Sequence, residues 1–395
     1  MTSDFTYYTP TKIVFGKGAE CQVGLLIKEE HCKKVLVHYG SASAKKSGLL
    51  DRITDSLTKE GIGFVTLGGV VPNPRLSKVQ EGIDLCKKEG VDFILAVGGG
   101  SVIDSAKAIG YGLFHGGDVW DFYSQKRTIT GCYPIGSVLT IAAAGSEMSD
   151  SSVITNEDGN LKRGANSNFS RCKFAVMNPE LTYTLPPFQT MSGAVDIMMH
   201  TMERYFLISD TMHLTDELAE SLLRTVVHFA LVLKDNPQDY DGRANLMWAS
   251  SLSHNGLMGA GNSARGDWAP HQMEHEMGGM FDVAHGAGLA AIWDSWARYV
   301  YKNKPARFAR LGKAVFDIKQ TGDVDKDALC AIEAMHDFFK SIDMPTNFRE
   351  LGINPTEQQI EEMAVKCTFF NKRTLGNFMV LAKKEIQDIY TLAAK

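Results

Sequence analysis

The sequence has no C-x-x-C pair. Its seven cysteines, Cys21, Cys32, Cys86, Cys132, Cys172, Cys330 and Cys367, are scattered and odd in number. That argues against a disulfide framework and for a reducing, cytoplasmic setting. It also lacks an excess of positive charge: 41 Lys and Arg stand against 46 Asp and Glu, a net of −5. With no basic stripe, nucleic acid is not an expected partner. No apolar run reaches the roughly 18 residues of a membrane span, so no membrane partner is expected either. The opening MTSDFTYYTPTKIVFG lacks the basic start and apolar core of a secretory signal. It reads instead as an ordered strand or hairpin with an exposed edge.

What is present is an ordinary globular composition, 44% hydrophobic and 22% charged over 395 residues, enough for roughly two domains. The first half alternates short β-branched runs with amphipathic stretches. KVLVHYG at 34–40 reads as a strand, SGLLDRITDSLTKEG at 47–61 as a helix, and GFVTLGGV as a strand. SKVQEGIDLCKKEG at 77–90 is a helix, and the nearly all-apolar VDFILAVGGG at 91–100 a central strand. Such alternation predicts an α/β domain with a parallel sheet covered on both faces. After Pro186 and Pro187 the pattern becomes a series of long helices, so an all-α domain is expected downstream. The boundary is placed near 187, giving domains 1–187 and 188–395.

Gly98, Gly99, Gly100 and Ser101 follow a strand and open a helix. The free N–H groups at a helix start, and the positive end of its dipole, suit a pyrophosphate. Glycine lets that group come close to the backbone. The loop is not a G-x-G-x-x-G fingerprint. Asp104 lies one turn into the helix and Lys107 two. Asp104 is either a first-turn acid favoured by the dipole or a hydrogen-bond partner for the nicotinamide end of a dinucleotide.

Asp196 and His200 stand four residues apart in AVDIMMHTMERYF, so they share a helix face about 6 Å apart along the axis. His271, His275 and His285 follow in HQMEHEMGGMFDVAHG. A carboxylate with imidazoles suits one divalent ion, Fe2+ or Zn2+. The 14 residues from His271 to His285 would span about 21 Å in a straight helix. The chain must therefore turn back, and Gly278 and Gly279 are the expected break. Spacing equally allows the set Asp196, His200, His271 and His275. His254 reads as structural.

Together these motifs resemble the iron-containing (group III) alcohol dehydrogenases, across nearly the whole chain. The resemblance rests on Pro72-Asn73-Pro74, GGGSVIDSAKAI at 98–109, VLTIAAAGSEMS at 138–149, the Asp196-x3-His200 pair and HQMEHEMGGMFDVAHG at 271–286. TYTLPP, the segment 40–46 and DWAPH at 267–271 are most similar to the NADP-dependent butanol dehydrogenase and aldehyde reductase branch. The resemblance implies a dinucleotide-binding α/β domain followed by a helical metal domain, with the active site in the cleft between them. It implies that Asp196, His200, His271 and His285 bind the metal, leaving His275 near the site as the candidate catalytic proton carrier; imidazole titrates near neutral pH. It places Asn73, Thr140, Ser146, Lys162 and Tyr183 on the cofactor. Ala143-Ala144-Gly145-Ser146-Glu147 stands where Gly-Thr-Gly-Ser-Glu is usual, which puts the contact of Ala144 in doubt but not the loop.

After the first α/β strand an acid would bind a ribose 2′-hydroxyl and repel a 2′-phosphate. Here the stretch is Tyr39-Gly40-Ser41-Ala42-Ser43-Ala44-Lys45-Lys46. Gly40, Ser41 and Ser43 are the expected contacts, and NADP(H) is expected over NAD(H). The expected reaction is hydride transfer between NADP(H) and a small primary alcohol or aldehyde such as butanol or butyraldehyde. A homodimer is the default assembly. Glycerol dehydrogenase-like or 3-dehydroquinate synthase-like chemistry is the rival on the same architecture. The synthase would want a lysine- and arginine-rich substrate site, of which there is little sign.

Overall fold

A computed structural model describes residues 3–40, 42–209, 211–262 and 266–395. The chain divides into two compact units, Tyr8–Leu185 and Pro186–Lys395, the second also taking in Met1–Tyr7. Among the described residues no helix is long and apolar enough to cross a membrane.

Among its described residues the first unit holds eight strands: β1 (Lys12–Phe15), β2 (Lys34–Tyr39), β3 (Gly63–Leu67), β4 (Phe93–Gly98), β5 (Ile135–Leu139), β6 (Ser151–Asn156), β7 (Leu161–Asn166) and β8 (Phe174–Met177). Six of them form one sheet in the order β1-β8-β5-β4-β2-β3. Every pairing in it is parallel. β4 is buried at every residue, as its unbroken apolar run requires of a strand covered on both faces. Of the strand or hairpin expected at the N-terminus, the strand is what forms. Only four residues pair, and they do so in parallel with β8 at the sheet edge. The antiparallel hairpin is instead β6–β7.

Register places the loops that matter. Tyr39 lies level with Val97, and Gly98 with Leu139. Gly40, the glycine loop and Thr140 thus leave the carboxyl ends of three adjacent strands. β2 leads outward to β3 while β4 leads the other way to β5, which is the topological switch point where open α/β sheets take ligands. Helix Gly100–His115 is tied to this sheet by His38, which is fully buried between Leu67 O (3.0 Å) and Ser105 Oγ (2.9 Å). Burial lowers the His38 pKa to about 4, so it sits there as a neutral hydrogen-bonding group.

The second unit is helical. Its first helix, Pro187–Tyr205, starts with proline at a position where the missing N–H costs nothing. Helices His213–Asp235, Tyr240–His254, Ala269–Phe281, His285–Val300, Pro305–Phe316, Val324–Ser341, Glu357–Cys367 and Lys383–Ala393 follow. The expected break at Gly278 and Gly279 is not found. The helix from Ala269 runs through both glycines and stops at Asp282, which takes a left-handed conformation at φ 52°. Three residues later His285 opens the next helix.

Candidate metal centre

Helix Pro187–Tyr205 presents Asp196, His200 and Glu203 at i, i+4 and i+7, which is one face. All three are buried. Asp196 Oδ1 stands 3.7 Å from His285 Nε2 and 3.8 Å from His271 Nε2, and Asp196, His200 and His271 each place one ligand atom within 4.8 Å of the others. Two ligand atoms on one tetrahedral ion, each bonded at about 2.1 Å, would stand about 3.4 Å apart. The spacing is therefore that of a coordination shell. Asp196 Oδ1 and His271 Nε2 are buried and make no hydrogen bond. Such atoms are costly unless something binds them, and a divalent cation satisfies both. The residues fit the metal.

Two acids that the sequence reading passed over stand behind these ligands. Glu203 Oε1 accepts from His271 Nδ1 at 2.8 Å and from the His271 backbone N–H at 3.1 Å. Glu274, fully buried, pairs with His285 Nδ1. Each leaves Nε2 as the outward lone pair, the carboxylate–histidine–metal arrangement. His200 uses its own helix: Nδ1 donates to Asp196 O at 3.0 Å. A signal was available, since Glu203 shares the helix face of Asp196 and His200, and Glu274 lies three residues after His271. Glu203→Gln should weaken metal binding about 10- to 100-fold, read as the metal dissociation constant, with the thermal midpoint of the metal-free protein little changed.

Without metal, charge is arranged as binding requires. Burial opposes ionisation of Asp196, yet His200 and His285 hold its carboxyl well below the usual carboxylate range. Burial outweighs Asp196 at His200 and lowers that imidazole to about 4, so it is neutral. At His271 burial acts downward too, but Asp196 and Glu203 raise it to about 9. A proton there must leave as a cation enters.

His275 is buried, one helical turn after His271. Its ring is 5.9 Å from that of His285. Glu274, His275 and His285 lie close enough together to form a second possible ligand group beside Asp196, His200 and His271. The His254 ring lies tilted by 34° to that of His200, with the ring centroids 4.0 Å apart.

The helix carrying His271 begins at Trp268, which is left-handed at φ 63°. A bulky residue in that conformation is strained. Asp267 holds it there by accepting from Ala269 N (3.1 Å), Asn377 N (2.8 Å) and Phe378 N (2.7 Å). Burial and the nearby Glu203 charge raise Asp267 to about 7 against these bonds. The Trp268 ring then stands edge-on to His271 at 5.3 Å, with the Arg204 guanidinium 4.6 Å over its face.

In the α/β unit, the helix opened by Gly100 has no side-chain cap, so its first N–H groups are open. The glycines are also dictated by packing. A Cβ on Gly98 would lie 2.4 Å from Val102 Cγ2, and one on Gly99 2.1 Å from Ile141 Cγ2. Asp104 gives one carboxylate oxygen to Val153 N at 2.9 Å, holding the helix to β6. Asn73 is buried at φ 53°, Thr140 N bonds Gly98 O at 3.1 Å, and Ser146 and Lys162 are buried. Tyr183 is half-buried, Ser43 is exposed, and Ser41 lies outside the described residues.

The family pattern of iron-containing alcohol dehydrogenases matches residues 10–179, and that of the family's C-terminal part matches residues 190–394. The chain belongs to the iron-containing alcohol dehydrogenase family. Its chemistry is therefore alcohol and aldehyde oxidoreduction. This alcohol dehydrogenase family member is 38% identical to NADH-dependent butanol dehydrogenase A of Clostridium acetobutylicum, over 98% of each chain. It is 34% identical to the NADPH-dependent aldehyde reductase YqhD of Escherichia coli, over 89% of this chain and 90% of that one. The crystal structure of NADH-dependent butanol dehydrogenase A from Thermotoga maritima superposes with a TM-score of 0.96 at 40% identity, covering 100% of this chain and 99% of that one.

Proposed function

We propose that the protein is a divalent-metal-dependent reductase of small aldehydes, also acting in reverse on primary alcohols of butanol size, that uses NADP(H) in preference to NAD(H). The observation that carries the reading is the Asp196 carboxylate oxygen, buried without a hydrogen bond among three imidazoles. When bound, a divalent ion supplies Lewis acidity toward a carbonyl or alcohol oxygen, and a nicotinamide cofactor supplies or accepts hydride. Asp196, His200, His271 and His285 are the ligands. Glu203 and Glu274 keep two of those imidazoles in the tautomer that presents Nε2. His275 carries the proton to or from the substrate oxygen.

Gly98–Ser101 hold the pyrophosphate on the open helix start, with Gly40, Ser41, Ser43, Asn73, Thr140, Ser146, Lys162 and Tyr183 completing the nucleotide contacts. NADP(H) preference is supported by the lack of any acid from Gly40 to Lys46 and by exposed Lys45 and Lys46 beside them. Relatives carry names of both kinds, NADH- and NADPH-dependent. The seven free cysteines support a cytoplasmic enzyme, and its size a homodimer.

The test is the initial rate of butyraldehyde reduction with NADPH and with NADH, on protein stripped of metal and then given Fe2+ or Zn2+. Metal-restored turnover with the higher kcat/KM for NADPH supports the whole reading. A higher value for NADH overturns the cofactor preference alone, and no turnover with any pairing overturns the function. His275→Ala should lower kcat about 100-fold or more, as expected for loss of a proton carrier, while metal content stays at wild-type level. Loss of metal in this variant would instead make His275 a ligand.

A further inference from the structure

Lys107 is a fully buried lysine in the α/β unit, two turns into helix Gly100–His115. Its Nζ donates to Ser151 O at 2.7 Å, Ser146 O at 2.8 Å and Ser149 O at 2.9 Å, with Ser149 Oγ at 3.3 Å. An ammonium has three hydrogens, and here three backbone carbonyls of one six-residue stretch take them. The stretch has no regular structure until β6 begins at Ser151. Carbonyl dipoles that converge on one point repel one another, and a cation with three N–H donors offsets that repulsion.

The stretch also faces the glycine loop. A Cβ built on Gly100 would lie 3.1 Å from Ala144 Cβ and 3.3 Å from Ser146 Oγ. The helix start and the 144–146 segment are thus in near contact, with the position of one fixing that of the other. The same helix grips the following strand one turn earlier, where Asp104 Oδ2 accepts from Val153 N and Asp104 O from Ser152 Oγ, both at 2.9 Å. Lys107 closes the near side of this clamp.

We infer that Lys107 is a positioning residue for the nucleotide site, a built-in monovalent cation that gathers the Ser146–Ser151 carbonyls and so sets Ser146 beside the pyrophosphate loop. The inference rests on the reading that Gly98–Ser101 bind the cofactor. Rings of backbone carbonyls are also how proteins bind free monovalent cations. A cavity left by a shorter side chain should therefore accept one.

The experiment measures NADPH binding by fluorescence titration in wild type, Lys107→Met and Lys107→Ala, in ammonium, potassium or sodium chloride at equal ionic strength. Lys107→Met, which fills the space without charge, should raise the NADPH Kd about tenfold or more in every salt, as expected for buried acceptors left unpaired. Metal content should not change. Lys107→Ala should be equally weak in sodium but recover most of its affinity in ammonium or potassium. Wild type should show no such salt preference. If wild type fails to bind NADPH, the cofactor reading fails, and this inference with it. If wild type binds and either variant matches its Kd in sodium, Lys107 has no positioning role. If Lys107→Ala is weak in all three salts, the built-in-cation account is wrong. Should the variants fold poorly, refolding of Lys107→Ala from urea serves instead. Folding in ammonium but not in sodium supports the inference, and failure in both counts against it.

Discussion

Asp196→Ala should remove the metal and nearly all activity together. The carboxylate is the one anionic member of the proposed ligand set, and its Oδ1 is the atom on which three imidazoles converge. Without it the site keeps three imidazoles on three helices and no anionic ligand, with the Glu203 and Glu274 carboxylates acting only from behind two of the rings. Bound metal should fall from about one ion per chain to below about 0.1, since structural and catalytic sites of this kind rely on a full ligand set. Aldehyde reduction should fall about 10³-fold or more, the equivalent of several kcal/mol of lost Lewis-acid stabilisation. The fold should survive, because Asp196 Oδ1 makes no hydrogen bond in the protein. The checks are elemental analysis, circular dichroism and initial rate at saturating Fe2+ or Zn2+. A variant that keeps its metal would show that the ion sits elsewhere, with Glu274, His275 and His285 the alternative.

Gly286→Ala should damage the same centre from outside it. Gly286 follows His285, and its missing side chain is what lets helix His285–Val300 lie against helix Pro187–Tyr205. A Cβ there would meet the Ser192 backbone oxygen at 1.9 Å and its carbon at 2.7 Å. Backbone cannot swing aside as a side chain does, so the two helices must part. Overpacking of this kind costs about 3 kcal/mol or more. For a helical unit of this size that is a drop of about 6 to 12 °C in thermal midpoint. Parting the helices also pulls His285 from Asp196, so metal affinity should fall about tenfold or more, because a site works only within tight geometric limits. Gly164→Ala is the control: its Cβ would touch Val153 Cγ2 at an ordinary 3.7 Å. An unchanged midpoint in Gly286→Ala would mean that this helix contact yields more easily than its geometry implies.

The α/β half was legible because β2, β3 and β4 are short apolar runs closed by glycine, and glycine also ends helices between them. Gly90, for example, ends helix Leu76–Glu89 in the left-handed conformation, where glycine is at ease. The N-terminus could be read only as a strand or a hairpin, because alternation in TYYTPTKIVF looks the same for both, and the strand is what forms. The β6–β7 pair was missed because Ser151–Asn156 and Leu161–Asn166 are half polar. In the helical half, Asp196 and His200 were legible from helical spacing alone. The turn between His271 and His285 was not. Gly278 and Gly279 look like breakers, yet Gly278 is packed inside the helix, and Asp282 makes the turn by tolerating a left-handed backbone. Glu203 and Glu274 were passed over because helical spacing, the one signal they carry, does not by itself separate an acid behind a ligand from an acid facing water.

The ties around Trp268 bear on the order in which the molecule can mature. Asp267 binds the backbone of Asn377 and Phe378, Arg373 reaches Gln272, and Tyr390 Oη donates to Met273 O at 2.8 Å. The helix that carries His271 is therefore moored by residues more than a hundred positions later. Synthesis runs from the N-terminus, so the glycine loop can fold while the ribosome is still reading the helical half. The histidine helix gains its moorings only once residues 373–390 have emerged. At the proposed site, loading of an ion then comes late, after the α/β unit has folded.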